Sequence, residues 1–125
     1  MVHHPRRHKQ LIESFKDAIS GFVNAFIQER NLHIQIVAAI FVIVFSLIIH
    51  IHFVELLIVF VLIGGVISLE LMNTAIERVV DLVTQEQHPM AKAAKDTAAA
   101  AVWWFSVISA VIYLFIVVGT LIGQS

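Results

Sequence analysis

Glu70-Leu71-Met72-Asn73-Thr74-Ala75-Ile76-Glu77-Arg78-Val79-Val80-Asp81 lies at the inner end of a stretch that otherwise reads as membrane-spanning. On a helix advancing ~100° per residue, positions 70, 73, 77 and 81 fall within ~80° of one another. Three carboxylates and an amide therefore form one polar stripe. Charge in or beside a bilayer core is expensive, so such groups face a protein interior or a wet cavity. Either the stripe is a site or the segment does not cross a membrane.

Composition favours the membrane. Of 125 residues, 59% are hydrophobic and 14% charged, and the mean hydropathy is +0.90. Soluble domains carry about 45–50% apolar and about 25% charged residues. A chain of this length cannot bury so much apolar surface in its own core. Lipid, partner subunits or both must cover the rest. The net charge of −1 makes no case for nucleic acid, and the absence of cysteine excludes a thiol nucleophile and a disulfide frame. The N-terminus is basic, but no small-residue cleavage site follows it, so it is not read as a signal peptide.

Outward from the stripe, the chain reads as an all-α membrane protein: an N-terminal amphipathic surface helix and three transmembrane helices in a single domain spanning 1–125. Leu11, Ile12, Phe15, Ala18, Ile19, Phe22, Val23, Phe26 and Ile27 recur at steps of one and three, the spacing of a helix with one wide apolar face. This predicts a helix over about 8–29 lying in the membrane interface. Spans are predicted at about 32–54, 56–83 and 97–122, each reaching the ~20 residues a bilayer requires. Gly64-Gly65 would allow close backbone approach. Residues 84–95 read as a polar connection, in which Pro89 is suited to a first helical turn. His50 and His52 read as interfacial polar residues rather than metal ligands, because no third ligand is apparent.

Lysines and arginines occur at 6, 7, 9, 16, 30, 78, 92 and 95. All precede the first span or surround the second connection. The positive-inside rule places the N-terminus and the 84–95 loop in the cytoplasm and the C-terminus outside.

Glu70 would sit at or slightly below the headgroups. A carboxylate held out of bulk water there is suited to take a proton from a hydroxyl at the same depth. Glu77 lies ~10 Å further towards the cytoplasm and suits a hard divalent cation. Glu29, at the end of the surface helix, would supply a second oxygen ligand. Lys95 could neutralise phosphate charge, and Asp96 could hold a metal or orient the lysine. Phosphoryl transfer needs mainly this positioning and charge neutralisation. The plain alternative is that Glu77, Asp81, Lys92 and Lys95 are solvated residues of a helix end and a loop. Glu70 and Asn73 resist that reading, since they interrupt an apolar run with no reason to stop. No phosphate loop or kinase glycine loop is present.

The Glu70-x-x-Asn73-Thr74-Ala75-Ile76-Glu77 core, with Asp81, His88-Pro89 and Ala94-Lys95-Asp96, resembles the prokaryotic diacylglycerol kinase family. The likeness extends from Phe15-Lys16 and Gly21 through Glu29-Arg30-Asn31 to the third span. It implies a homotrimer in the bacterial cell membrane, with active sites shared between subunits and open to the cytoplasm. It also implies transfer of the γ-phosphate of ATP, with Mg²⁺, to a lipid hydroxyl. By the same resemblance Glu70 is the general base and Glu29 and Glu77 hold the metal. Asn73, Lys95 and Asp96 position the nucleotide and reacting groups, supported by Asp81. Gln87 stands where the family carries an aromatic, and Gln10 and Glu13 stand where its diacylglycerol enzymes are more basic. The Asn73–Glu77 and His88-Pro89-x-Ala91-Lys92 versions look closer to the Gram-positive undecaprenol-kinase branch. Undecaprenol is thus the favoured acceptor and diacylglycerol the alternative. Outside the lipid kinases, the alternatives are a non-catalytic membrane bundle and a proton-conducting subunit.

Overall fold

The computed structural model describes residues 7–123; Arg6, counted in the topology argument, lies outside them. Four helices follow in order: α1 (Arg7–Gln28), α2 (Arg30–Ile48), α3 (Phe53–Val83) and α4 (Pro89–Leu121). No strand occurs among the described residues. Helices α2, α3 and α4 are long and apolar enough to cross a membrane. The all-helical, three-span class expected from the sequence is the one observed.

The helix ends have local causes. Glu29 takes an extended conformation (φ −107°, ψ 111°) and occupies the N-cap position of α2. It is therefore the break between α1 and α2 rather than the end of the surface helix. The first span stops at Ile48, six residues before Val54, because His50 turns left-handed (φ 61°). That region is uncommon for a residue with a Cβ. His52 then caps α3: its backbone N–H donates to Glu55 Oε1 at 3.2 Å, closing a capping box. The second span accordingly opens at Phe53 rather than residue 56. The largest difference from the sequence reading is in α4, which begins at Pro89 rather than near 97. Pro89 is preset for a first turn, and His88 Nδ1 accepts from the Met90 N–H at 3.0 Å. The following Met-Ala-Lys-Ala-Ala-Lys run consists of strong helix formers. Only 84–88 is left as connection.

The main packing is α3 on α4, with α2 lying against α3 and α1 touching both α2 and α3. Gly65 makes the first contact possible: a Cβ there would stand 2.5 Å from Cε1 and Cζ of Phe105, whereas one at Gly64 would meet nothing within 4 Å. Near the C-terminal end of α2, Ser46 Oγ donates to the Val42 carbonyl at 2.6 Å. The Tyr113 hydroxyl lies 2.7 Å from Ser46 Oγ and 3.2 Å from that carbonyl. This hydroxyl pair ties α2 to α4, whose backbones otherwise hardly meet.

Burial is inverted relative to a soluble domain. The buried apolar residues among those described are Ala25, Leu32, Val59, Ala98 and Ile116. Phe15, Ile19, Phe41, Val61 and Phe115 are exposed, while Ser46, Glu70, Asn73 and Thr74 are buried. A protomer that hides polar groups and shows its apolar ones is built for an apolar surrounding.

Candidate functional site

Helix α3 sets the depth of each acid. At ~1.5 Å per residue, Glu70 is ~26 Å along α3 from its start at Phe53, less than the ~30 Å thickness of a hydrocarbon layer. Glu77 is ~36 Å from that start and Asp81 ~42 Å, more than that thickness. The burial follows the same order. Glu70 is 3% exposed and Asn73 7%, Glu77 is half-buried, and Asp81 is exposed.

A buried carboxylate needs partners. Glu70 has one from α2: Gln35 Nε2 donates to Glu70 Oε2 at 3.2 Å. One turn further in, Asn73 Nδ2 donates to Glu77 Oε1 at 3.2 Å, the i,i+4 neighbour on the same helix face. The remaining oxygens of the two amides, Gln35 Oε1 and Asn73 Oδ1, are buried with no partner among the described residues. Orphaned acceptors of this kind are rare and require an explanation.

The outermost layer joins α3 to α4. Lys95 Nζ donates to Asp81 Oδ1 at 2.6 Å, with both side chains about half exposed. Asp96 pairs with Lys92 on its own helix. Exposed pairs of this kind add little stability. Because α4 starts at Pro89, Lys95 and Asp96 sit almost two turns inside it rather than at its beginning. A polar pocket of about 590 Å³ opens here, lined by Asp81, Gln85, His88, Lys92, Lys95 and Asp96 among others. Its volume is in the usual range for a small-molecule site.

Glu29 is half-buried at the α1–α2 break. Arg78 Nη2 donates to Gln28 Oε1 at 3.1 Å. Gln28 precedes Glu29 and Arg78 follows Glu77, so this bond ties together the chain segments that carry the two proposed metal ligands. No group of three or more His, Asp or Glu gathers as metal ligands among the described residues. Mg²⁺ takes one or two protein carboxylates and completes its shell with phosphate oxygens and water. An all-oxygen donor set with an unpartnered Asn73 Oδ1 beside Glu77 suits that ion.

The sequence reading did not assign roles to Gln35, to the Arg78–Gln28 bond or to the Ser46–Tyr113 bridge. For Gln35 a signal existed: it interrupts the apolar run of α2 as Glu70 interrupts that of α3. The other two are pairings between distant positions, and neither carries a local pattern.

A layered acid site at one end of a three-span bundle belongs to an integral membrane enzyme acting where lipid and water meet. The profile described as prokaryotic diacylglycerol kinase matches residues 16–117. The chain is 44% identical over 113 residues to the undecaprenol kinase of Bacillus subtilis, covering 90% of this chain and 92% of that protein. It is 40% identical over 93 residues to a diacylglycerol kinase of Synechocystis sp., covering 74% of this chain and 53% of that protein. The chain belongs to the prokaryotic diacylglycerol kinase family. It is a multi-pass membrane lipid kinase, a phosphotransferase that uses ATP.

Proposed function

We propose that this protein transfers the γ-phosphate of ATP to the hydroxyl of undecaprenol at the cytoplasmic face of the bacterial cell membrane. The observation that carries the reading is Glu70, a carboxylate 3% exposed within a helix apolar and long enough to cross a membrane, bonded to Gln35. Identity of 44% to an undecaprenol kinase over nine-tenths of the chain supports the acceptor.

In this reading Glu70 takes the hydroxyl proton as the lipid oxygen attacks the γ-phosphorus. The bond from that phosphorus to the β–γ bridging oxygen breaks, and ADP departs. Glu77 and Glu29 would hold Mg²⁺, and Asn73, whose Oδ1 has no partner among the described residues, stands beside Glu77. Mg²⁺ bound there supplies neutralisation of phosphate charge. Lys95, held by Asp81, faces the nucleotide phosphates from the polar pocket, and Asp96 and Asn73 keep the reacting groups in register. Assembly into a homotrimer with shared active sites would cover part of the exposed apolar surface, and lipid the remainder. The placement of all eight basic residues supports an inside N-terminus and an outside C-terminus.

The second reading is a diacylglycerol kinase making phosphatidic acid, supported by the Synechocystis relative. Purified protein given labelled ATP and each lipid in turn separates the two. Faster turnover of undecaprenol is expected; equal or faster turnover of diacylglycerol would reverse the assignment.

A further inference from the structure

The break between α1 and α2 is tied on two sides. Glu29 stands at the N-cap of α2, yet its side chain makes no cap bond, so its carboxylate is not engaged by the helix it precedes. Across the break, the rings of Phe26 and His33 meet edge to face with centroids 4.3 Å apart, which joins α1 to α2. Towards α3, Arg78 Nη2 donates to Gln28 Oε1 at 3.1 Å. Among the described residues this is the one side-chain hydrogen bond between α1 and α3, and those two helices meet only slightly. Ala25 and Leu32 are buried beside the break, but apolar contact is non-directional and does not fix how α1 is turned.

The choice of partner is informative. Arg78 follows Glu77 in the chain, and Gln28 precedes Glu29. A guanidinium is a fork suited to carboxylates, and two acids stand next to this one. The ion pairs among the described residues are nevertheless Lys92–Asp96 and Lys95–Asp81. Arg78 instead grips a neutral amide, and neither Glu29 nor Glu77 is neutralised by it. Both Gln28 and Arg78 are exposed, where a hydrogen bond adds little to stability. Stability of the fold therefore does not account for the bond.

We propose that Gln28 and Arg78 are positioning residues for the metal site: their bond sets Glu29 against Glu77 and keeps the guanidinium off both acids, which stay open to a divalent cation. The inference rests on the reading of Glu29 and Glu77 as metal ligands and deepens it. Two effects set the size of the response. Misplacing a ligand weakens metal binding by about 10-fold. A unit charge ~7 Å away changes the affinity of a divalent ion by about two- to threefold at physiological salt. Gln28→Ala loses the clasp and frees Arg78 for the acids, so both effects weaken binding. Arg78→Ala loses the clasp but also a repelling charge, so the second effect partly offsets the first.

The test uses the full chain in lipid bilayers with a non-hydrolysable ATP analogue. Mn²⁺, which shares the oxygen preference of Mg²⁺, is titrated in, and the free ion is read by electron paramagnetic resonance. Binding should weaken at least about 10-fold in Gln28→Ala and about 3–5-fold in Arg78→Ala. Exchanging the pair, Gln28→Arg with Arg78→Gln, should bring it back to within about twofold of the parent. Spin labels at Asn24→Cys and Leu82→Cys, in metal-free protein diluted with unlabelled chains, read the α1–α3 distance within one protomer. The distance distribution should be narrow in the parent and the exchanged pair and broad in either single variant. Unchanged Mn²⁺ affinity in Gln28→Ala, an exchanged pair as weak as the single variants, or an unbroadened distance would overturn the inference. The metal-ligand reading fails by a separate result, a Glu77→Gln protein that binds Mn²⁺ as the parent does.

Discussion

Glu70 and Glu77 are separated by two turns of one helix, and their surroundings differ. Glu70 is enclosed and meets an amide from another helix; Glu77 is half open and meets an amide from its own. Glu70→Gln keeps the shape and the hydrogen-bonding capacity but removes the base. We expect turnover to fall by about 10²–10⁴-fold, with helix content by circular dichroism unchanged; full activity in that variant would exclude Glu70 as the base. Glu77→Gln should instead raise the Mg²⁺ concentration for half-maximal rate by at least about 10-fold, measured by titrating the ion at saturating ATP. An unchanged Mg²⁺ requirement would remove Glu77 from the ligand set. At this scale the sequence was informative wherever a polar residue broke an apolar run, as Glu70 and Asn73 do. It was silent on the partners, because Gln35 and Glu70 lie 35 positions apart and no local spacing links them. For a related reason it did not show which lysine Asp96 pairs with in the structure. That partner is Lys92, one turn away on the same helix, while Lys95 meets Asp81.

The elements owe their existence to apolar periodicity and length, which is why all four helices were legible in the chain. Their ends depend on single residues that patterning does not register: the extended Glu29, the left-handed His50 and the cap that His88 gives α4. The Gly64-Gly65 pair shows the same limit. Sequence marks both as sites of close approach, but only Gly65 has a ring seated on it within the protomer. Gly65→Ala must push the Phe105 ring aside, and we expect a loss of about 1–3 kcal/mol. Gly64→Ala should change protomer stability by no more than about 0.5 kcal/mol. Unfolding in mixed micelles with a graded denaturing detergent measures both. Equal losses at the two positions would mean that the α3–α4 contact is not organised around Phe105.

For the whole molecule, the inverted burial means that the protomer is not a finished object, and its surroundings complete it. Its orientation in those surroundings is testable, because the chain has no cysteine of its own. A membrane-impermeant maleimide should label Gln85→Cys only in inside-out vesicles and Gly123→Cys only in right-side-out vesicles; the opposite pattern would invert the topology. The length of α3 has a further consequence. Its 31 residues make a rod of ~46 Å against a hydrocarbon layer of ~30 Å, and the rod carries both the lipid-side acid and the water-side acids. It cannot stretch, so a thicker or thinner bilayer must be met by tilting or sliding it. Either motion shifts the height of Glu70 against the headgroups while the spacing to Asp81 stays fixed. The enzyme should therefore act as a depth gauge, with fastest turnover in bilayers of one matched acyl length and slower turnover on both sides of it.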